Sequence, residues 1–94
     1  MELITLIIYD ITDDELRQTV AKYLRQKGLK RIQKSAFAGP LTSAQRSEIA
    51  AGLQRIIKGK EKVNIQIYPL SPSSFNQRIV LGVEIDYEKE EVVI

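Results

Sequence analysis

The apolar and polar positions of this chain change period several times. Leu3-Ile4-Thr5-Leu6-Ile7-Ile8-Tyr9 is almost continuously aliphatic or β-branched and ends at Asp10, which predicts a buried strand. Thr12-Asp13-Asp14-Glu15 reads as a capping box, with Thr12 as N-cap. Leu16, Val20, Tyr23 and Leu24 follow at helical spacing, and Gly28 stops that helix. Leu29 to Gly39 is extended and long for one strand, and a bend at Gln33-Lys34-Ser35 would divide it into two short paired strands. Thr42-Ser43-Ala44-Gln45 opens a second helix with Ile49, Leu53, Ile56 and Ile57 on one face and Gly59 at its end. Val63 to Tyr68 alternates apolar and polar residues as a half-buried strand, closed by Pro69 and Pro72. Arg78 to Val83 predicts a further strand, and Glu84 to Ile94 a weaker edge strand.

With the central segment folded into two strands the order is βαββαβ, a ferredoxin-like α+β sandwich with an appended C-terminal strand. Residues 1–82 then form the domain, and residues 83–94 a C-terminal edge strand for dimer or partner contact. A doubly wound parallel sheet is disfavoured, because no glycine-rich phosphate loop follows the first strand.

Composition narrows the chemistry. The 94 residues include no cysteine and no histidine, which removes disulfides, cysteine nucleophiles, serine–histidine catalysis and histidine zinc sites. Only Asp, Glu, Lys, Arg, Ser, Thr and Tyr remain to do chemistry. No apolar run approaches a bilayer span and no signal-peptide pattern is evident, so a cytoplasmic location without membrane contact is the expectation. The net charge of +2 hides an asymmetry. Leu16 to Ser47 contains no acid but carries Arg17, Lys22, Arg25, Lys27, Lys30, Arg31, Lys34 and Arg46, whereas Glu84 to Glu91 holds five acids and one lysine. The basic body predicts a polyanionic ligand and the acidic tail a protein partner. The plainer reading of lysines such as Lys22, Lys27 and Lys30 is a solvated face.

A carboxylate at the end of a buried strand is costly unless something pairs with it. Asp10 therefore caps a turn with Thr12, pairs with Arg17, or holds a cation. If the second extended segment stays extended, alternation along it puts Arg31, Gln33, Ser35 and Phe37 on one face. The set Asp10, Arg17, Arg31, Tyr9 and Phe37 suits phosphodiester chemistry. A carboxylate binds Mg²⁺, guanidinium groups match phosphate oxygens, and aromatic faces stack on unpaired bases. One carboxylate is a thin site, and two facing each other across a dimer axis would be better, with the cation offsetting their repulsion. The competing reading of Tyr9 and Phe37 is that both are core aromatics.

Leu6-Ile7-Ile8-Tyr9-Asp10-Ile11 with Thr12-Asp13-Asp14, Gly28-Leu29-Lys30-Arg31-Ile32-Gln33-Lys34-Ser35-Ala36-Phe37-Ala38-Gly39, and Ile67-Tyr68-Pro69-Leu70 together resemble the CRISPR-associated protein two family in order and spacing. The resemblance covers almost the whole chain. It implies a ferredoxin-like homodimer acting as a metal-dependent endonuclease on RNA or DNA, and as the central dimer of a spacer-acquisition complex with the CRISPR integrase. It implies Asp10 as the Mg²⁺ ligand at the dimer axis, with Tyr9, Arg17, Arg31 and Phe37 around the nucleic acid. Position 19 is Thr, where a second arginine of the first helix would strengthen the phosphate site. The alternative is a non-catalytic dimer that bridges integrase subunits and binds protospacer duplex. A single-strand RNA-binding domain of the same fold is disfavoured, because its aromatic signature is absent.

Overall fold

A computed structural model describes residues 2–87. The order is β1 (Leu3–Ile11), α1 (Asp14–Gln26), β2 (Lys30–Gln33), β3 (Ala36–Leu41), α2 (Ser43–Ile57), β4 (Val63–Leu70) and the short α3 (Pro72–Asn76). The strands form one sheet in the order β2-β3-β1-β4, every neighbouring pair antiparallel. This is the expected ferredoxin-like arrangement. The segment from Leu29 to Gly39 does fold into two strands, joined by the turn at Lys34-Ser35, with an irregular register between Arg31 and Gln33.

Strand period decides what each face of β1 meets. Thr5, Ile7, Tyr9 and Ile11 are buried under the helices, whereas Ile4, Leu6 and Ile8 are half-buried on the opposite face and Asp10 is exposed there. Phe37 lies opposite Ile7 and joins the core with Val20, Leu24, Ile49 and Leu53. Thr5, the one buried polar residue among those described, has its hydroxyl 3.4 Å from Nη1 of Arg46 on α2.

The helix ends show how local chemistry sets boundaries. The first N-cap is Asp13, not the expected Thr12: Asp13 Oδ2 accepts the Leu16 N–H at 2.8 Å, so the helix begins one residue later. A carboxylate is the stronger partner there, because it also meets the positive end of the helix dipole. The second capping box forms as expected, with Gln45 N–H donating to Thr42 Oγ1 at 3.1 Å and Thr42 N–H to Gln45 Oε1 at 2.9 Å. Gly28 ends α1 at φ +88°. The Gly28 N–H reaches Arg25 O at 3.0 Å and the Leu29 N–H reaches Leu24 O at 3.2 Å, the pattern of a Schellman cap, and both leucines enter the core.

Two expectations near the C-terminus fail. Pro69 does not close β4, which continues to Leu70; β4 is an edge strand, where proline is tolerated. Residues 78–83 are not a strand, and Gly82 at φ +88° interrupts the extended run. Residues 83–86 are likewise not a strand, and the rest of the predicted edge strand, residues 88–94, lies outside the described residues.

Candidate functional site: a strand-end carboxylate beside a basic cleft

Asp10 occupies the exposed end of β1, on the sheet face that α1 and α2 leave open. Its cross-strand neighbour is Asn64 of β4. Gln66 Nε2 donates to Asn64 Oδ1 at 3.0 Å, and the Tyr68 hydroxyl donates to Gln66 Oε1, so a polar row runs along β4 on the same face. Among the described residues the Asp10 side chain makes neither a hydrogen bond nor an ion pair. Both structural roles open to it in the sequence, a cap on Thr12 and a pair with Arg17, are therefore unmet.

Arg17 is committed elsewhere. Its Nη1 donates to the carbonyls of Ile11 at 3.0 Å and Thr12 at 3.1 Å, and its Nη2 pairs with Asp14. The pair is solvent-exposed and contributes little alone. The two carbonyl contacts tie down the loop that follows Asp10.

Tyr9 and Phe37 differ from the expected stacking platforms. Phe37 is 0% and Tyr9 5% exposed, so neither ring offers a face to a base. Their positions on the helix-covered side of β1 and β3 dictate this. They instead form a buried pair, with centroids 6.4 Å apart and planes at 24°. Arg31 is opposite Phe37 across the β2–β3 pairing. Its guanidinium carbon lies 5.4 Å from the Phe37 centroid, and Nη2 is 3.4 Å from the Tyr9 hydroxyl. The three residues do come together as the sequence suggested, with the aromatics serving as the seat of Arg31.

A cleft of about 750 Å³ joins these parts. Asp10, Arg17 and Arg31 all line it, as do Asp14, Arg25 and Lys34. Arg25 and Lys34 were absent from the candidate set. The helical repeat held the signal for Arg25, since Asp14, Gln18, Ala21 and Arg25 recur on one face of α1. Lys34 reaches the cleft from the β2–β3 turn, which spacing within a single strand does not reveal.

The donor chemistry suits a hard cation in part. Mg²⁺ takes oxygen ligands, keeps several waters, and is ordinarily held by one or two carboxylates together with phosphate oxygens. An exposed carboxylate with no other partner fits as one such ligand. Among the described residues no group of three or more Asp, Glu, His or Cys could enclose an ion.

The fold and the site define a small ferredoxin-like domain with an open-face carboxylate and a basic cleft along its first helix. The family model for CRISPR associated protein Cas2 matches residues 1–78, and the chain belongs to that family. It is 40% identical over 77 residues to the "CRISPR-associated endoribonuclease Cas2" of Korarchaeum cryptofilum, covering 82% of each chain. It superposes on the Cas2 crystal structure from Streptococcus pyogenes with a TM-score of 0.72 at 24% identity, covering 85% of this chain and all of the other, a likeness of fold. A chain of a partial Cas6-RT-Cas1–Cas2 complex matches with a TM-score of 0.71 at 25% identity, over 90% of this chain and 91% of that one.

Proposed function

We propose that this chain is a metal-dependent endonuclease that cleaves phosphodiester bonds in single-stranded RNA or duplex DNA, works as a homodimer, and takes part in spacer acquisition with the CRISPR integrase. The observation that carries the proposal is the placement of Asp10: exposed, unpaired among the described residues, and on the lip of a basic cleft. The name of the Korarchaeum relative supports the nuclease activity, and the Cas1-containing complex supports the integrase partner.

In this reading Asp10 would hold Mg²⁺ together with Asp10 of a second copy packed on the open sheet face. A bound Mg²⁺ would supply a water of lowered pKa and polarise the phosphoryl oxygens. Arg31, seated on Phe37 and Tyr9, offers a guanidinium of restricted orientation to a phosphate oxygen. Arg17 acts indirectly, by fixing the loop behind Asp10 through the Ile11 and Thr12 carbonyls. The cleft's four cations against two carboxylates attract the polyanion and raise its local concentration.

The second reading is a non-catalytic dimer that bridges integrase subunits and holds protospacer duplex. The acid-free, basic stretch from Leu16 to Ser47 and the distinct acidic tail favour it. Asp10→Asn separates the two. On the nuclease reading, the variant binds RNA and duplex DNA in chelator as the parent does, and loses cleavage in Mg²⁺ by on the order of 10²–10³, the scale for removing one charge-stabilising group. An Asp10→Asn protein that cleaves at the parental rate overturns the nuclease reading. A parent that cleaves neither substrate, yet supports integration with its integrase, establishes the structural one.

A further inference from the structure

The cleft extends well past the carboxylate. Along α1 its wall runs from Asp14 through Arg17, Gln18 and Ala21 to Arg25, a length of roughly 16 Å at 1.5 Å per residue. The opposite wall is Arg31 of β2 with Lys34 and Ser35 of the following turn. An elongated groove with cations at intervals on both walls matches a ligand whose charges repeat, better than it matches a single small anion.

A nearby cation, Lys27, lies outside the groove. Lys27, two residues beyond Arg25, faces α2, where its Nζ is 3.5 Å from Glu48 and 5.4 Å from the Tyr23 ring centroid. Within α1 itself, Arg17 and Arg25 line the groove, while the C-cap Lys27 joins α1 to α2.

We infer that this groove is a track for a phosphodiester backbone, and that Lys34, on the turn beside the Asp10 end of β1, and Arg25, at the far end of the α1 wall, bind its phosphates. The inference rests on the nucleic-acid reading above but not on catalysis. It assigns two further binding residues and a direction: from Asp10 and the adjoining β2–β3 turn the strand runs alongside α1 toward Arg25. Arg25, remote from Asp10, contributes affinity and acts most on long substrates.

The test is binding to a labelled 20-nucleotide RNA and to a duplex DNA of equal length, titrated in chelator across a range of salt. An Arg25→Ala/Lys34→Ala protein is compared with a Lys58→Ala/Lys60→Ala protein, which loses the same charge from the exposed α2–β4 loop outside the groove. The groove variant is expected to bind at least one of the two ligands about tenfold or more weakly. For single strands its log–log salt slope should be shallower by about 1.4, near 0.7 for each lost contact. The loop variant should stay within about twofold of the parent. The ligand that loses affinity identifies the strand the groove takes. Equal losses in the two variants mean diffuse attraction and overturn the inference, as does parental binding by the groove variant to both ligands. Lys34→Glu alone, an exposed turn substitution that spares the core, repeats the comparison independently of any folding defect. Because chelator removes divalent ions, the outcome stands whether or not the parent cleaves.

Discussion

At the scale of single residues, identity and role separate most clearly at the aromatic pair. The grouping of Arg31 with Phe37 is anticipated in the sequence by alternation along one extended segment, but the structure makes it by another route: the segment bends at Lys34-Ser35 and cross-strand pairing of β2 with β3 sets the two opposite each other. The burial of Tyr9 and Phe37 is not legible there, since one period describes both a core face and an exposed face, and only the helices above the sheet decide between them. Phe37, fully enclosed, predicts a stability phenotype. Phe37→Ala should cost about 3–5 kcal/mol, the usual range for emptying a buried aromatic site, and lower the thermal midpoint accordingly. Phe37→Leu should retain most stability and nucleic-acid affinity. If Phe37→Leu instead bound RNA as poorly as Phe37→Ala while melting like the parent, the ring would be contacting bases after all. Asp10 is the converse case. Its exposure follows from a one-residue step: Tyr9 and Ile11 point into the core, so Asp10 must point out.

At the scale of elements, most of the fold was written in local chemistry. Capping box, glycine stop and strand period locate both long helices and two of the four strands, β1 and β4, directly. The bend that makes β2 and β3 needed only a polar turn sequence. Where a boundary moved, a neighbouring residue made the better contact, as Asp13 does in place of Thr12. Beyond β4 the same signals failed, because an apolar, alternating run forms a strand only when a partner strand accepts its backbone groups, and Gly82 breaks this one. Helix pairing holds a feature that no period reveals. A Cβ built on Gly52 of α2 would lie 1.9 Å from the Tyr23 hydroxyl oxygen of α1 and 2.5 Å from its Cζ. The missing side chain lets Tyr23 pack across the pair and lets Lys27 reach both Tyr23 and Glu48. In the parent, Gly52→Ala should destabilise by about 1–3 kcal/mol through overpacking. In a Tyr23→Ala background the clash is gone and the helix preference for Ala over Gly dominates, so the same change should stabilise by up to about 1 kcal/mol. Urea melts of the four proteins give the sign directly, and a loss of similar size in both backgrounds would show that Tyr23 is not what Gly52 accommodates.

At the scale of the whole molecule, the two sheet faces are unequally covered. The helices seal one, while the other exposes Asp10 and half-buries Ile4, Leu6 and Ile8. The segment after α3 adds apolar surface beside it: Ile79, Leu81 and Val83 are 85%, 88% and 86% exposed. A cavity of about 650 Å³ between that segment and β2–β3 includes Ile4, Ala38, Ile79 and Leu81 in its lining. Contiguous apolar exposure on so small a chain marks an association surface. On the homodimer proposed above, the occupant would be a second copy, which would also give Asp10 a second carboxylate. Leu81→Asp/Val83→Asp leaves every core residue and every cleft residue untouched, and is expected to convert a dimer to a monomer by light scattering at micromolar concentration. Cleavage should fall with dimer content, while RNA binding at low salt should be retained on the groove of each monomer. Were the variant to remain dimeric, residues 79–83 would lie outside the interface. Were it monomeric yet fully active, Asp10 would work alone, and the shared site across the axis would have to be abandoned.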